Sequence, residues 1–365
     1  MGKKVVIISG INLIDGGPIS IYLDFLASVV QGGYSDKFKI IALVGKKELF
    51  SAFENEIELI EFRKSKQAWL YRLYYEYIYF NKLSQRLKPY IWISLHDVTP
   101  NVKSVHRYVY CHNPSPFHKM GIKDVKYGVK YYLFSKLYKY LYAINIRKND
   151  AVIVQQDWMR KEFIKMYKLK KVIVARPSVS DVQIIPDASR PQDNLFVCPS
   201  FPRYYKNFQV VCEAAKILEN SGINNFKLII TVDGTENKYA SSLKQRYGNL
   251  ETVYFCGLLS RKRLFELYAK SHCLVFMSKL ETWGMPITEF KSTGKPIIAA
   301  DLPYAHETVG NYDNVEFVHQ NDYCVLAEKM KEVIKNHKLS GKSSVKAIDI
   351  PYAKDWMELN EIVFH

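Results

Sequence analysis

The segment Glu281–Glu289, ETWGMPITE, places two carboxylates on either side of a Gly-Met-Pro step. It follows the apolar run CLVFMS, which is typical of a buried strand. Gly284 permits a sharp backbone turn, and Pro286 suits the first turn of a helix, where its missing N–H costs nothing. We therefore expect a strand, a bend and a helix, with Glu281 before the bend and Glu289 one turn into the helix.

Such a bend would leave the backbone amides of Met285, Ile287 and Thr288 without partners at the start of the helix. Amides in this position, together with the helix dipole, bind phosphate or diphosphate. The two carboxylates cannot bind phosphate, but they accept hydrogen bonds from hydroxyl groups such as those of a sugar and a ribose. The pattern indicates a diphosphate site between two hydroxyl-rich groups. By spacing alone, however, two glutamates eight residues apart more often mark a solvated face.

The composition is that of a globular protein, with 48% apolar and 24% charged residues in a chain of 365, which is long enough for two domains. No apolar run is long enough to cross a bilayer, and the apolar part of the basic N-terminal segment is too short for a signal peptide. The six cysteines stand singly, without metal-ligand spacing, as buried thiols of a reducing compartment do. We expect a cytoplasmic protein that binds no metal or other cofactor.

The net charge of +16 suggests a polyanionic partner. Residues 103–148 hold ten Lys or Arg, one acidic residue and eight tyrosines, and a similar basic, aromatic segment covers residues 63–88. Apolar residues recur at helical spacing in the first of these segments, at Val129, Leu133, Leu137, Leu141 and Ile144.

A helix with an apolar stripe, lysines and tyrosines suits an anionic membrane surface. Equally open is a helix that covers a sheet and keeps its lysines in solvent. RNA binding would use the same residue types, but the sequence has no RNA-binding signature, so we expect no nucleic acid partner.

Short apolar strands alternate with helical segments, which predicts an α/β architecture with parallel sheets. The expected strands are 5–10, 38–45, 91–95, 107–111 and 151–155 in the first half, and 195–200, 226–234, 252–257, 273–278 and 296–301 in the second. Proline and polar residues cluster at 179–194, which we take as a linker between a domain of residues 1–178 and one of residues 195–340. Ligands of parallel sheets bind at the carboxyl ends of the strands, so the chemistry is expected in a cleft between the domains.

The stretch from Phe255 to Gly310 resembles the donor-binding half of family 4 glycosyltransferases of the GT-B fold. The resemblance is close over residues 195–335 and extends to the first half in outline. It implies two Rossmann-like doubly wound domains that face a cleft, with a C-terminal helix within 350–365 that crosses back to the first domain. The matching positions are Gly257, Leu259, Ser260, Leu264, Tyr268, Ser278, Glu281, Gly284, Pro286, Glu289, Gly294, Pro296 and Glu307.

The resemblance implies roles for these residues in binding a nucleotide sugar. Glu289 would bind the ribose hydroxyls, Glu281 the transferred sugar, and the backbone near Leu259 would border the base. The amides from Met285 through Pro286 and Ile287 to Thr288, beyond the bend at Gly284, would meet sugar hydroxyls and phosphate.

Two cations would stabilise the departing diphosphate. Lys206 matches the family pattern, whereas Phe201 holds the place of the family's usual arginine. Arg203, only three residues before Lys206, is expected to replace it.

In the first half, Gly16 and Gly17 resemble the glycine-rich loop through which these enzymes touch the donor or acceptor. His112 follows a strand, and a histidine at this place often contacts the donor sugar; a structural role is the alternative. His96 and Asp97 also follow a strand and could contact an acceptor, with a structural role equally open. The expected catalytic residues are Glu281, His112 and Lys206.

The family resemblance implies transfer with retention of configuration, by a same-face route that needs no carboxylate nucleophile and no metal. The acceptor would be a glycan, expected to be lipid-linked, of a surface polysaccharide such as O-antigen, capsule or exopolysaccharide. The enzyme would then be peripheral on the inner face of the membrane. The alternatives are a GT-B nucleotide-sugar epimerase and a non-catalytic module that binds membrane or RNA.

Overall fold

The computed structural model describes residues 2–117, 129–177 and 194–365, which fold into two compact units. The predicted linker, residues 179–194, lies outside the described residues except for Asn194. The described residues of Met1–Phe117, Leu133–Ser178 and Ile348–His365 form the first unit, and those of His118–Tyr132 and Val179–Ala347 form the second.

The first unit contains eight strands: β1 (Lys4–Gly10), β2 (Phe38–Val44), β3 (Glu58–Glu61), β4 (Ile91–Ser94), β5 (His106–Cys111), β6 (Ala151–Val154), β7 (Val172–Ala175) and β16 (Tyr352–Ala353). They form one parallel sheet in the order β16-β7-β6-β5-β4-β1-β2-β3. Every residue of β4, β6 and β7 is buried. Such continuous Val- and Ile-rich runs are expected of strands that helices cover on both faces.

Among the described residues, seven α-helices belong to the first unit: α1 (Gly16–Gln31), α2 (Tyr34–Lys37), α3 (Trp69–Tyr74), α4 (Phe80–Leu87), α5 (Val129–Ala143, in this unit from Leu133), α6 (Asp157–Tyr167) and α13 (Trp356–Val363). A π-helical turn, Tyr75–Tyr79, joins α3 to α4. Helix α5 confirms the helix predicted from the apolar spacing after residue 129.

The second unit contains a parallel sheet of six strands: β8 (Asn194–Cys198), β9 (Phe226–Ile230), β10 (Val253–Phe255), β11 (Cys273–Phe276), β12 (Ile297–Ala300) and β14 (Val315–Val318). Their order is β10-β9-β8-β11-β12-β14, and β13 (Tyr312–Asp313) pairs antiparallel with β15 (Lys342–Ser343). The helices are α7 (Phe208–Asn220), α8 (Lys238–Tyr247), α9 (Arg261–Lys270), α10 (Met285–Lys291), α11 (Pro303–Val309) and α12 (Tyr323–Asn336).

Both sheets reverse their strand order once, between β1 and β4 in the first unit and between β8 and β11 in the second. The prediction of an α/β architecture with two doubly wound halves is thus confirmed. The sequence analysis missed the four-residue strands β3, β7 and β14 and the two-residue strands β13, β15 and β16. In open sheets of this kind, ligands bind outside the carboxyl ends of the strands at the point of reversal.

The C-terminal residues complete the first unit. β16 extends the sheet beyond β7, and α13 packs on α1, where Asn360 Nδ2 donates a hydrogen bond to Ser28 Oγ at 2.9 Å. The Trp356 ring is 5.5 Å from that of Phe25 and 5.3 Å from that of Tyr110, centroid to centroid. In the part of the chain that the structure describes, no helix has the length and apolar character needed to span a membrane.

We expect Trp356→Ala to lower the free energy of unfolding of the first unit by about 3–5 kcal/mol, because it leaves a cavity beneath α13. Trp356 is 1% exposed, whereas its neighbour Met357 is 41% exposed. The control Met357→Ala should change stability by no more than about 0.5 kcal/mol. Urea unfolding followed by circular dichroism measures both, and equal effects would contradict this account of the helix.

Candidate functional site

The loop after β11 adopts the predicted strand, bend and helix. β11 ends at Phe276, and Gly284 precedes α10 with φ = 93°, in the left-handed region that favours glycine. Pro286 lies in the first turn of α10, as expected. The bend between Glu281 and Glu289 is confirmed.

One of the three amides predicted to be unpaired at this bend already has a partner. The N–H of Ile287 donates to the Gly284 carbonyl at 2.9 Å, because the bend closes on its own first turn. The prediction for Ile287 is therefore wrong, while those for the Met285 and Thr288 amides stay predictions. The Thr288 hydroxyl accepts a hydrogen bond from Trp283 Nε1 at 2.9 Å, which holds this side chain in place.

Lys206 and Glu281 form an ion pair between Nζ and Oε1. Lys206 ends the 3-10 turn Tyr204–Lys206 that follows β8, and Glu281 follows β11, so the pair joins the strands between which the order reverses. Only 15% of the Lys206 side chain and 13% of the Glu281 side chain are exposed. Each charge neutralises the other, and an arriving anion would draw the ammonium group away and free the carboxylate to accept hydrogen bonds.

Arg203 lies at the start of the same turn. Its carbonyl accepts a hydrogen bond from the Lys206 N–H at 2.8 Å, and its guanidinium NH1 donates to the Tyr205 hydroxyl at 3.2 Å. The side chain is exposed, so both cations of the predicted phosphate site lie on one short turn. That Arg203 replaces the usual arginine of the family stays a prediction.

Glu289, on α10, accepts a long hydrogen bond of 3.5 Å from the hydroxyl of Tyr268, which lies on α9. Burial raises the pKa of the Glu289 carboxyl, and the nearby Arg261 guanidinium opposes this shift. The Glu289 carboxyl oxygens therefore lie in a partly desolvated environment, where a hydrogen bond is stronger than in water.

Leu259 is half-buried in the loop between β10 and α9. The preceding turn uses Gly257 at φ = 76°, where a side chain would be strained. Leu258, between them, is exposed. The loop is accessible to solvent, and the contact of Leu259 with a nucleotide base stays a prediction.

In the first unit, Gly16 and Gly17 begin α1 and are exposed. Gly16 has φ = 64°, and a Cβ atom on Gly17 would meet no atom within 4 Å. Asp15, just before them, forms an ion pair with Lys66. The glycine turn predicted after β1 is present, and its contact with a ligand stays a prediction.

His96 is fully buried, in a cluster of polar side chains. Arg72 NH2 donates to His96 O at 2.7 Å and lies 3.3 Å from Nδ1, while Nε2 lies 3.1 Å from Ser9 Oγ and 3.3 Å from Glu76 Oε1. Burial holds the pKa of His96 well below its usual value, and Arg72 adds to this effect. An acceptor contact by this side chain does not fit its position in the core.

Glu76 is also fully buried; apart from the 3.3 Å contact of Oε1 with His96 Nε2, its carboxyl oxygens have no hydrogen-bond partner among the residues that the structure describes. Burial raises the pKa of this carboxyl to about 8, although Arg72 opposes the shift. The group therefore tends to hold a proton where an ordinary carboxyl does not. It lies in the π-helical turn Tyr75–Tyr79.

Asp97 has φ = 73°, and its carboxylate turns inward. Oδ1 accepts hydrogen bonds from the backbone N–H groups of His112 (2.8 Å) and Asn113 (3.0 Å) and from the Tyr142 hydroxyl (2.8 Å); Oδ2 accepts one from Tyr138 at 3.2 Å. This carboxylate is occupied within the unit, which leaves little capacity for the predicted acceptor contact. His112 follows β5, and 12% of its side chain is exposed.

The sequence analysis did not identify Arg72 and Glu76, which contact His96, or Tyr138 and Tyr142, which contact Asp97. Arg72 and Glu76 are four residues apart, as are Tyr138 and Tyr142, and side chains at this spacing share a helix face. The spacing of four residues is the one sequence signal that could have indicated that each pair acts together. Within the described ranges 2–117, 129–177 and 194–365, no group of three or more His, Cys, Asp or Glu residues could hold a metal ion.

Residues 182–348, just under half of the chain, match the family model of the glycosyl transferases group 1. The O-antigen chain mannosyltransferase RfbU of Salmonella typhimurium is 27% identical over 179 residues, which is 48% of either chain. The chain therefore spans about half the length of this curated relative.

Two solved structures show the same fold over about nine tenths of the chain. A glycosyltransferase from Rickettsia africae has a TM-score of 0.65 at 16% identity and covers 92% of this chain and 89% of its own. Anabaena HepE in complex with UDP-glucose has a TM-score of 0.62 at 15% identity and covers 91% of this chain and 90% of its own. Residues 182–348 therefore resemble the glycosyl transferases group 1 family, and the fold of the chain is GT-B.

Proposed function

We propose that this protein is a retaining glycosyltransferase that moves a sugar from a nucleotide-sugar donor to a glycan acceptor in surface-polysaccharide synthesis. The observation that carries the proposal is the Lys206–Glu281 ion pair at the reversal point of the second sheet, with Glu289 on the adjoining helix. Two comparisons support it: one relative is an O-antigen chain mannosyltransferase, and one neighbour binds UDP-glucose.

In this proposal, Lys206 and Arg203 bind the diphosphate of the donor. The diphosphate replaces Glu281 as the partner of Lys206, and Glu281 then accepts hydrogen bonds from hydroxyls of the transferred sugar. The amides of Met285 and Thr288 are the further phosphate or sugar contacts. Because the cations are fixed before the reaction begins, they stabilise the charge that develops on the leaving diphosphate without reorganising.

Glu289 accepts hydrogen bonds from the ribose hydroxyls, while the Tyr268 hydroxyl donates to its Oε2. The loop at Leu259 borders the base. Contacts of His112, Gly16 and Gly17 with a substrate stay predictions; the two glycines would allow a substrate to approach the backbone.

The reaction we propose keeps the configuration at the anomeric carbon. The bond from this carbon to the diphosphate oxygen breaks, the acceptor oxygen bonds to the same face, and the acceptor proton passes to the departing phosphate oxygen. Glu281 and Glu289 are hydroxyl binders in this scheme and form no covalent intermediate. Lys206 and Arg203 supply the positive charge, so we propose that no divalent metal is required.

We also propose that the acceptor is lipid-linked and that the protein docks on an anionic membrane surface through α5. Leu133, Leu137, Tyr140 and Ile144 form one stripe, which we call the outer stripe, and each of them is between 42% and 62% exposed. Tyr138 and Tyr142 occupy the opposite, buried face of the helix.

The charges around the outer stripe fit an anionic surface. Lys136, Lys139, Arg147 and Lys148 lie on α5 or directly after it, and each such cation near an anionic membrane contributes about 1 kcal/mol. The predicted segment 63–88 adds a second exposed apolar set in the same unit: Trp69, Leu70, Tyr71, Tyr74 and Ile78.

In a screen of UDP-, GDP- and dTDP-linked sugars by thermal shift, we expect one donor to stabilise the protein. At about 100 times its Kd, a ligand stabilises the folded state by roughly 2.7 kcal/mol. Glu289→Gln should weaken binding of that donor about tenfold or more, since a hydrogen bond to a charged group is lost. Glu328→Gln, at an exposed position of α12, is the matched control and should bind as the wild type does.

The screen is run in EDTA, because the proposal needs no metal. A requirement for added Mg²⁺ would contradict that part of it. If none of the donors, nor a free nucleoside diphosphate, stabilised the protein, the proposed activity itself would be wrong.

The affinity for the donor should fall as the pH is lowered from neutral through the raised pKa of Glu289. Because burial raises the pKa of Glu289, its carboxyl protonates at a higher pH than an ordinary glutamate, and its charge is lost as the pH falls through this raised value. The diphosphate of a nucleotide sugar keeps its charge over the same range. Isothermal titration at several pH values should show this fall in the wild type and a flatter profile in Glu289→Gln; parallel profiles would refute the role of Glu289.

In vesicle flotation, the protein should bind anionic vesicles and not neutral ones, and salt should weaken the binding. Leu137→Glu should reduce the affinity about tenfold or more, because a leucine contributes roughly 1.5–3 kcal/mol when it is buried. Ile164→Glu, at an exposed apolar residue of α6, is the control and should have little effect. Equal flotation with neutral vesicles, or equal effects of both variants, would exclude docking through the outer stripe.

A further inference from the structure

Asn207 lies directly after Lys206, in the second unit, at the residue before α7. It has φ = 63°, and its side chain is fully buried. Its Nδ2 group donates to two backbone carbonyls, that of Met277 at 3.1 Å and that of Gln320 at 2.6 Å. Met277 follows β11 and Gln320 follows β14, while Asn207 itself lies in the segment that leaves β8. One side chain therefore joins the segments that leave three neighbouring parts of the sheet.

The Asn207 side chain does not cap its own helix. At α8 and α12, the residue before the helix accepts a hydrogen bond from an amide of the first turn, through the side chains of Asn237 and Asp322. Asn207 makes no such bond, and its Oδ1 is buried without a hydrogen-bond partner among the described residues. Both N–H bonds of its Nδ2 are used on other segments. The side chain thus serves the contact between segments rather than the start of α7.

Hydrogen bonds on either side of Lys206 hold its backbone against the segment that leaves β11. On one side, Asn207 Nδ2 binds the Met277 carbonyl. On the other side, the Tyr205 carbonyl accepts a hydrogen bond from the Lys279 N–H at 2.7 Å. The residues before and after Lys206 are thus paired with residues two apart on the other segment. A shift of the Lys206 backbone would break both bonds.

The segment that takes part in this pairing leads directly to Glu281. It is held further by Tyr304 of α11, whose hydroxyl donates to the Ser278 carbonyl at 2.7 Å. Because the two backbones are fixed to each other, the Lys206 ammonium group can leave Glu281 by rotation of its own side chain alone. A cation that needs no backbone movement stabilises a bound or departing anion at the least cost in reorganisation.

We propose that Asn207 is a positioning residue that keeps Lys206 in register with Glu281, so that the ammonium group passes from the carboxylate to the diphosphate of the donor without a shift of the backbone. This inference rests on the proposed function, in which Lys206 binds the diphosphate. Asn207 itself touches no substrate in this proposal. It was not among the site residues expected from the sequence.

Asn207→Gly tests the proposal, because glycine keeps the left-handed backbone and removes both side-chain hydrogen bonds. Asn314→Gly is the matched control. Asn314 has φ = 73°, its Oδ1 accepts from the Leu339 N–H at 2.7 Å, and its Nδ2 donates to the Gly294 carbonyl at 3.4 Å. It directly precedes β14 and so lies at the amino end of the same sheet, opposite to the edge at Lys206.

The probe is whichever of UDP, GDP and dTDP the wild type binds most tightly in isothermal titration. Each variant loses two side-chain hydrogen bonds, so both should lower the melting temperature by about 2–8 °C. Only Asn207→Gly should weaken the binding of the probe, by about tenfold, and it should lower kcat/KM for donor hydrolysis by at least the same factor. Equal affinities of the two variants for the probe would reduce Asn207 to a purely structural residue.

A double-mutant cycle tests whether Asn207 acts through Lys206. Lys206→Met should weaken the binding of the probe about tenfold or more, because a hydrogen bond from a charged group is lost. In the Lys206→Met background, Asn207→Gly should change the affinity by less than about twofold, since a residue that acts through Lys206 cannot act without it. Losses that multiply in the double variant would overturn the proposal.

A measurement on the wild type decides the question if Asn207→Gly does not fold. In deuterated, ¹⁵N-labelled protein, the two Nδ2 protons of Asn207 should exchange with water at least about a hundredfold more slowly than those of the exposed Asn220. They should stay slow when the probe is bound, because only the Lys206 side chain moves. Fast exchange in either state would contradict the proposal. A wild type that binds none of the three nucleoside diphosphates would instead refute the proposed function.

Discussion

The sites of both units depend on the single reversal of strand order in each sheet, between β1 and β4 and between β8 and β11. The connections on the two sides of a reversal leave toward opposite faces of the sheet, so the carboxyl ends at that point are not covered by their own crossovers. Gly16 follows β1, His96 follows β4, Lys206 follows β8 and Glu281 follows β11. The topology thus decides where polar residues can meet, and the residue types decide what they can bind.

At the reversal of the second sheet, the proposed chemistry begins with an ion pair whose two charges already compensate each other. Removing two charges from water is costly, and a pair such as Lys206 and Glu281 is tolerated because each charge compensates the other. A ligand that carried only an anion would leave Glu281 buried without a partner, and a ligand that carried only hydroxyls would compete poorly with Lys206. A molecule that joins an anion to a hydroxyl-rich group satisfies both residues at once. The need to satisfy both residues therefore restricts the class of ligand more than Lys206 or Glu281 would alone.

The local pattern of Gly, Pro and Glu was enough to predict the bend and helix around Gly284, because these effects act over a few residues. The ion pair of Lys206 with Glu281 joins residues 75 positions apart, and no periodicity reveals it. His96 was a candidate for an acceptor contact because it follows a strand, with a structural role equally open. The left-handed turn at Asp97 instead folds this segment back into the unit.

Helix α5 shows why apolar spacing did not predict which face is buried. Leucine is the more apolar residue, but Tyr138 and Tyr142 take the inner face because Asp97 accepts their hydroxyl hydrogen bonds there. A buried tyrosine is stable when its hydroxyl has such a partner. The leucines are left on the outside, where hydropathy alone would not place them.

The return of the C-terminal residues to the first unit has a consequence for how such proteins can recombine. A gene fragment that stops at residue 178 encodes a sheet without β16 and an α1 helix without α13, so Phe25 and Tyr110 lose the ring of Trp356. If two related genes exchanged their C-terminal halves by a single crossover, α1 of one protein would have to pack against α13 of the other. A functional chimera needs two crossovers, so that residues 348–365 travel with the N-terminal half, and the α1–α13 contact should coevolve as if its residues were neighbours in the chain.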